Sequence, residues 1–93
     1  MRQIAKDALR AAALRGVRQI TGRMQDFNGG YCAAGVLMEA CAGELDHMLK
    51  TRRESHCPLC AEFVANEGGL VIHLNDRHEL DFLAIAEKLP LEV

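Results

Sequence analysis

Apolar residues recur at helical spacing at the start of the chain. In residues 2–15, Ile4, Ala8, Leu9, Ala12, Ala13 and Leu14 fall three and four apart, and the alanines favour helix. The pattern predicts a first helix ending at Gly16. Arg2, Lys6 and Arg10 lie four apart and share one polar face of it. The pattern changes after Gly16. Val17, Ile20 and Thr21 suggest a short extended piece, and Asp26-Phe27-Asn28-Gly29-Gly30 is turn chemistry, because Asn and Gly tolerate positive φ. A small hairpin or irregular loop is predicted there. From Tyr31 to Ala42 the chain is almost wholly apolar and small, which predicts a buried helix ended by Gly43. Leu45, Met48 and Leu49 predict a further turn or two. Near the end, Phe82, Ile85, Ala86 and Leu89 mark a short amphipathic helix, with Asp81 as N-cap and Pro90 as terminator.

At 93 residues the chain is expected to pack as a single domain, with a helical region over 1–55 and a second module over 56–93. So short a chain buries a modest core, and a metal staple matters to its stability. A net charge of −2 argues against a general nucleic-acid coat. That average hides an asymmetry. Residues 1–31 carry Arg2, Lys6, Arg10, Arg15, Arg18 and Arg23 against Asp7 and Asp26, whereas residues 57–93 are rich in Asp and Glu. The two halves attract each other, or the basic one offers a surface to an acidic partner. No apolar run approaches the roughly 20 residues of a membrane span, so no membrane association is expected.

Candidate chemistry is concentrated in one stretch. Cys57-Pro58-Leu59-Cys60 is followed by twelve residues, His73, four residues and His78. Two Cys and two His at this spacing suit a tetrahedral zinc site, and they point to a reducing, intracellular compartment rather than to disulfides. Cys57, Cys60, His73 and His78 are the predicted ligands of one Zn2+. Cys32 and Cys41 lie nine apart, on opposite faces of a helix, and are read as structural thiols. His47 lacks a partner at ligand spacing and is read as a surface or packing residue. Lys50, Arg52 and Arg53 form a short basic run before the metal stretch.

With Phe63 or Val64 and Leu70 between the ligand pairs, residues 57–78 resemble the Cys2His2 zinc finger. The resemblance implies a ββα module with Cys57 and Cys60 in a knuckle and a helix from about Glu67 carrying both histidines. Asn66 is a suitable N-cap for that helix. The expected fold class is therefore mainly α, or small α+β, a helical domain with a zinc-finger-like module. Ser55 stands where the family has an aromatic, and Val64 where it has Phe. Gly68-Gly69 weakens the helix start by roughly 1 kcal/mol per Gly relative to Ala. These departures predict a finger that leans on the rest of the domain.

The base-reading positions of such a helix fall on Asn66, Gly69 and Ile72, of which only Asn66 can hydrogen-bond a base. The finger is therefore not expected to read DNA sequence. Four protein ligands leave a zinc ion no open position, and no catalytic constellation occurs elsewhere, so no enzymatic activity is expected. Asp76 is expected to support a ligand histidine or to cap backbone.

Ala8-Leu9-Arg10, Tyr31-Cys32-Ala33-Ala34-Gly35-Val36-Leu37, and Leu74-Asn75-Asp76 with Phe82 and Ile85-Ala86 together resemble small proteins of bacteriophages and prophages. That resemblance implies a phage origin and a bacterial cytoplasm. The expected function is an interaction protein that binds a host or phage protein, such as a component of host defence or transcription. The alternative is a nucleic-acid-binding regulator using Arg2, Lys6, Arg10, Arg15, Arg18, Lys50, Arg52 and Arg53. A virion component is a third option.

Overall fold

The alanine-rich start of the chain folds as α1, Gln3–Leu14, in a computed structural model that describes residues 1–51 and 55–91. Its end is the one predicted. Gly16 takes a φ of 69°, and the N–H groups of Gly16 and Val17 reach back to the carbonyls of Ala13 and Ala12 at 3.1 Å each. The buried face differs from the predicted one. Met1, Ala5, Leu9 and Ala12 form it, whereas Ile4 is half exposed and Leu14 is almost wholly in water. A helix turns about 100° per residue, so Leu14 lies on the side opposite Ala5.

Residues 17–31 form an irregular loop, not a hairpin. Two isolated bridges, Gln19 with Tyr31 and Gln25 with Tyr31, are its ladder contacts. Its tip is pinned by one side chain: Asp26 Oδ1 accepts from the N–H groups of Asn28 at 2.9 Å and Gly30 at 2.7 Å.

The next helix, α2, runs Ala33–Lys50. Gly43 does not end it. The irregularity falls at Cys41, with φ −156° and ψ 64°, and the chain re-enters helix at once. Tertiary contacts hold the second segment: Leu45 and Met48 are buried, and Glu44 pairs with Arg2. Gly35 has a packing reason. A Cβ there would lie 1.8 Å from the Met24 carbonyl oxygen, so only glycine lets the loop cross the start of α2.

Strands β1 (Ser55–His56) and β2 (Phe63–Val64) pair antiparallel, with Ser55 opposite Val64 and His56 opposite Phe63. Helix α3 spans Glu67–Asp76 and α4 spans Phe82–Lys88. Both predicted N-caps are in place. Asn66 Oδ1 accepts from Gly69 N at 2.6 Å, and Asp81 Oδ1 accepts from Ala84 N at 2.7 Å. Together these elements form a small, helix-dominated fold with the predicted ββα piece inside it.

Helix α1 packs on both α2 and α4, and α3 packs on α2. Leu9, Leu37, Leu45, Met48, Val71, Leu74 and Ile85 make the shared core. Helix α3 therefore contributes to the core of the whole chain and not to a private one. Gly68 serves this docking, since a Cβ would lie 2.6 Å from Leu49 Cδ2 and 3.3 Å from the Leu49 backbone nitrogen. Among the described residues, no helix is long and apolar enough to cross a membrane.

Candidate metal centre

The Cys57–Cys60 knuckle is built by backbone hydrogen bonds. Cys57 N–H donates to the Glu62 carbonyl, and Ala61 N–H donates to the Cys57 carbonyl, both at 2.8 Å. Ala61 sits at φ 61°, which turns the chain back into β2. The Leu59 N–H points at Cys57 Sγ at 3.4 Å. Burial pushes the Cys57 thiol up, but the N–H groups of Leu59 and Cys60 and the Cys60 side chain outweigh it. The thiol titrates below its ordinary value, which favours the thiolate a metal requires.

The histidines meet the knuckle from α3 and from the turn after it. Residues five apart on a regular helix point about 140° from each other, so the helix must end for both imidazoles to face one point. It does: α3 stops at Asp76, Glu79 takes a φ of 50°, and the Leu80 N–H closes the turn onto the Leu74 carbonyl at 3.1 Å. The two imidazoles then stand at 75°, with centroids 4.9 Å apart.

One ligand atom from each of Cys57, Cys60, His73 and His78 lies within 4.8 Å of the other three. Cys57 Sγ is 3.4 Å from His78 Nε2, and Cys60 Sγ is 3.4 Å from His73 Nε2. Zinc–sulfur and zinc–nitrogen bonds of about 2.3 and 2.0–2.1 Å place S and N roughly 3.6 Å apart around a tetrahedral ion. The four side chains are thus positioned to hold one metal ion, and two thiolates with two imidazoles are a donor set that zinc favours. The other ring nitrogen of His73 faces the Glu62 carboxylate at 3.8 Å. Asp76, expected to support a ligand histidine or to cap backbone, accepts from the Asn75 side chain, Nδ2, at 2.7 Å.

The remaining thiols are placed apart from this group. Cys32 caps α2, with Sγ accepting from Gly35 N at 3.4 Å, and burial raises its titration. Cys41, at the irregularity of α2, is raised by burial and by the Glu44 charge. Both shifts disfavour reactive thiolates. His47 accepts Thr51 Oγ1 at its carbonyl, 2.7 Å away, and His56 lies edge-on to Phe63 with centroids 6.0 Å apart.

The predicted basic residues fall in different settings. Lys6 is buried, and its Nζ donates to the carbonyls of Ala86 and Leu89 at 2.5 Å each. It caps the C-terminal end of α4, where a cation suits both the free carbonyls and the helix dipole. Arg2 forms a two-pronged pair with Glu44, at 2.7 and 2.6 Å. Arg18 pairs with Asp26, Lys50 with Asp46 at 2.9 Å, and Arg10 lies 3.9 Å from Asp7. Arg15 lines a shallow cleft with Val17, Tyr31 and Glu39. Arg52 and Arg53 lie outside the described residues.

Two residues whose roles were not read from the sequence matter to the site and its surroundings. Asn75, between the two ligand histidines, is fully buried and hydrogen-bonded on all sides. An asparagine inside a helix is a weak sign of such a role, because its side chain competes with the helical backbone. Phe27, at the loop tip, is fully exposed.

No family model, curated protein or solved structure matches the chain. The finger likeness therefore rests on ligand spacing and geometry, and no match supports the phage likeness.

Proposed function

We propose that the protein is a zinc-stapled interaction domain with no catalytic role, and that it binds a protein partner through the turn carrying Phe27. The observation that carries this reading is the display of that residue. A phenyl ring left wholly in water forgoes roughly 2 kcal/mol that burial would supply. Yet the turn beneath it is held by Asp26, by the Arg18–Asp26 pair and by the Asp26–Gly30 backbone bond of 3.0 Å. An exposed aromatic on a pinned turn loses little entropy on binding and suits a pocket in a partner.

The metal reading is zinc in a structural role, since four protein donors fill a tetrahedron and leave no position for water. The resemblance to small phage proteins directs the search to a host or phage protein, including components of host defence and transcription. Against the nucleic-acid alternative stand the internal partners of Lys6, Arg2 and Arg18.

The test is affinity capture from a bacterial lysate with zinc-loaded protein, with and without nuclease, comparing wild type with Phe27→Asp. A discrete protein retained by the wild type, resistant to nuclease and lost with Phe27→Asp, is the expected result. Equal capture by both chains would remove Phe27 from the interface. Capture that nuclease abolishes would favour the nucleic-acid reading.

A further inference from the structure

We infer that the metal centre and the loop displaying Phe27 form one cooperative unit, joined through Asn75, so that metal occupancy controls the loop. This rests on the zinc reading and adds a means of regulating the proposed surface.

Asn75 lies in the last turn of α3, two residues after His73 and just before the turn that brings His73 and His78 together. Its side chain uses its full capacity, two acceptor and two donor positions. Oδ1 accepts from Gln19 Nε2 at 2.7 Å and from Ala33 N at 3.0 Å. Nδ2 donates to the Ile20 carbonyl at 2.9 Å and to Asp76 Oδ1 at 2.7 Å. Gln19 Nε2 also reaches the Leu80 carbonyl, just past His78, at 2.6 Å. The loop thus grips the ligand-bearing turn on both sides of His78.

The base of the loop has little else to fix it. The loop contains no helix or strand. Asp26 pins its tip, and the backbone bonds at its base are few: Ile20 N–H to Tyr31 O at 3.1 Å, Tyr31 N–H to Arg18 O at 2.9 Å, and Cys32 N–H to Met24 O at 3.1 Å. Segments of this kind open locally at low free energy unless something outside holds them. This one is held by the last turn of α3, through Asn75, and by the non-helical turn after it, through Leu80; that turn has Glu79 at positive φ, and metal ligation of His73 and His78 would keep it closed. Loss of the metal frees the turn, Asn75 shifts, and Gln19 and Ile20 lose their buried partners.

Amide hydrogen exchange by NMR tests the link. Gln19→Ala removes the loop side of the grip without touching α3, and Asn75→Ala removes the hub. In the zinc-loaded Gln19→Ala protein the amides of Ile20, Tyr31 and Cys32 should exchange at least about tenfold faster, while those of Leu9 and Ile85 stay within about twofold. Visible absorption of the cobalt-substituted variant should match wild type, showing an intact ligand set. Chelating wild type should release the same three loop amides along with those of the zinc-dependent C-terminal half. Unchanged loop exchange in zinc-loaded Gln19→Ala, or loop protection that survives chelation, would overturn the inference while leaving the metal site standing. A wild-type chain that takes up neither zinc nor cobalt would overturn the metal reading itself, and metal control of the loop with it.

Discussion

The stretch from Cys57 to His78 and the loop from Val17 to Tyr31 are organised by opposite means. In the first, spacing along the chain carries the geometry: a tight knuckle, a capped helix, and two histidines brought together by ending that helix. In the second, distant residues carry it. Asn75 and Leu80 anchor the loop through Gln19 and Ile20, and the missing Cβ of Gly35 lets it cross α2. Local chemistry can specify a metal cage, whereas an irregular loop takes its shape from the surfaces that receive it.

Substitutions at the ligands have the largest expected effect. Structural zinc in finger peptides supplies roughly 10–16 kcal/mol of apparent free energy, comparable to a small domain's entire stability. Cys57→Ser or His73→Ala should therefore unfold at least the C-terminal half, seen as loss of helical circular dichroism. Because Val71 and Leu74 of α3 sit in the common core, the loss should spread to α2.

Gly35→Ala strikes the loop from the other side. The added methyl would collide with the Met24 carbonyl, and overpacking of this kind costs about 1–3 kcal/mol. A lowered denaturation midpoint with unchanged metal affinity would separate loop from finger. A loss of metal binding would tie them together.

Much of the finger was legible in the sequence, for reasons visible in particular residues. Asn66 and Asp81 cap helices with their own side chains, and Gly16 ends α1 through its own backbone. Such local chemistry is readable along the chain. The buried face of α1 was not, because Ile4 and Leu14 follow a helical period without sharing the face that meets α2 and α4. Lys6 was also misread as part of a basic surface. A lysine four residues from two arginines looks solvated until α4 is seen to end against it. Gly43 illustrates the same limit, since the core contacts of Leu45 and Met48 carry α2 past it.

Lys6→Met tests that tertiary reading. It keeps the apolar stem and leaves the Ala86 and Leu89 carbonyls without their donor, a loss of about 1–3 kcal/mol that chemical denaturation should resolve. A neutral result would return Lys6 to the class of ordinary surface lysines.

Glu44→Gln should have the smallest effect, about 1 kcal/mol, because Arg2 is about half exposed at 46% and water screens the pair. Its pH dependence is diagnostic. The hydrogen bonds from Arg2 hold the Glu44 carboxyl below its ordinary range. A carboxylate with a depressed folded pKa stabilises the fold fully above the unfolded value and loses that contribution as pH falls through the folded one. The gap between wild type and Glu44→Gln in denaturation should therefore be constant near neutrality and close in acid. A gap that persists in acid would assign the effect to packing.

The central claim is that Cys57, Cys60, His73 and His78 hold one zinc on which the fold depends. The direct measurement is metal content and thermal unfolding of one sample, before chelation, after it, and after zinc is restored. One zinc per chain, loss of the cooperative transition on removal and its return on reconstitution are predicted. Absence of bound zinc, or a melting curve indifferent to its removal, would contradict the account.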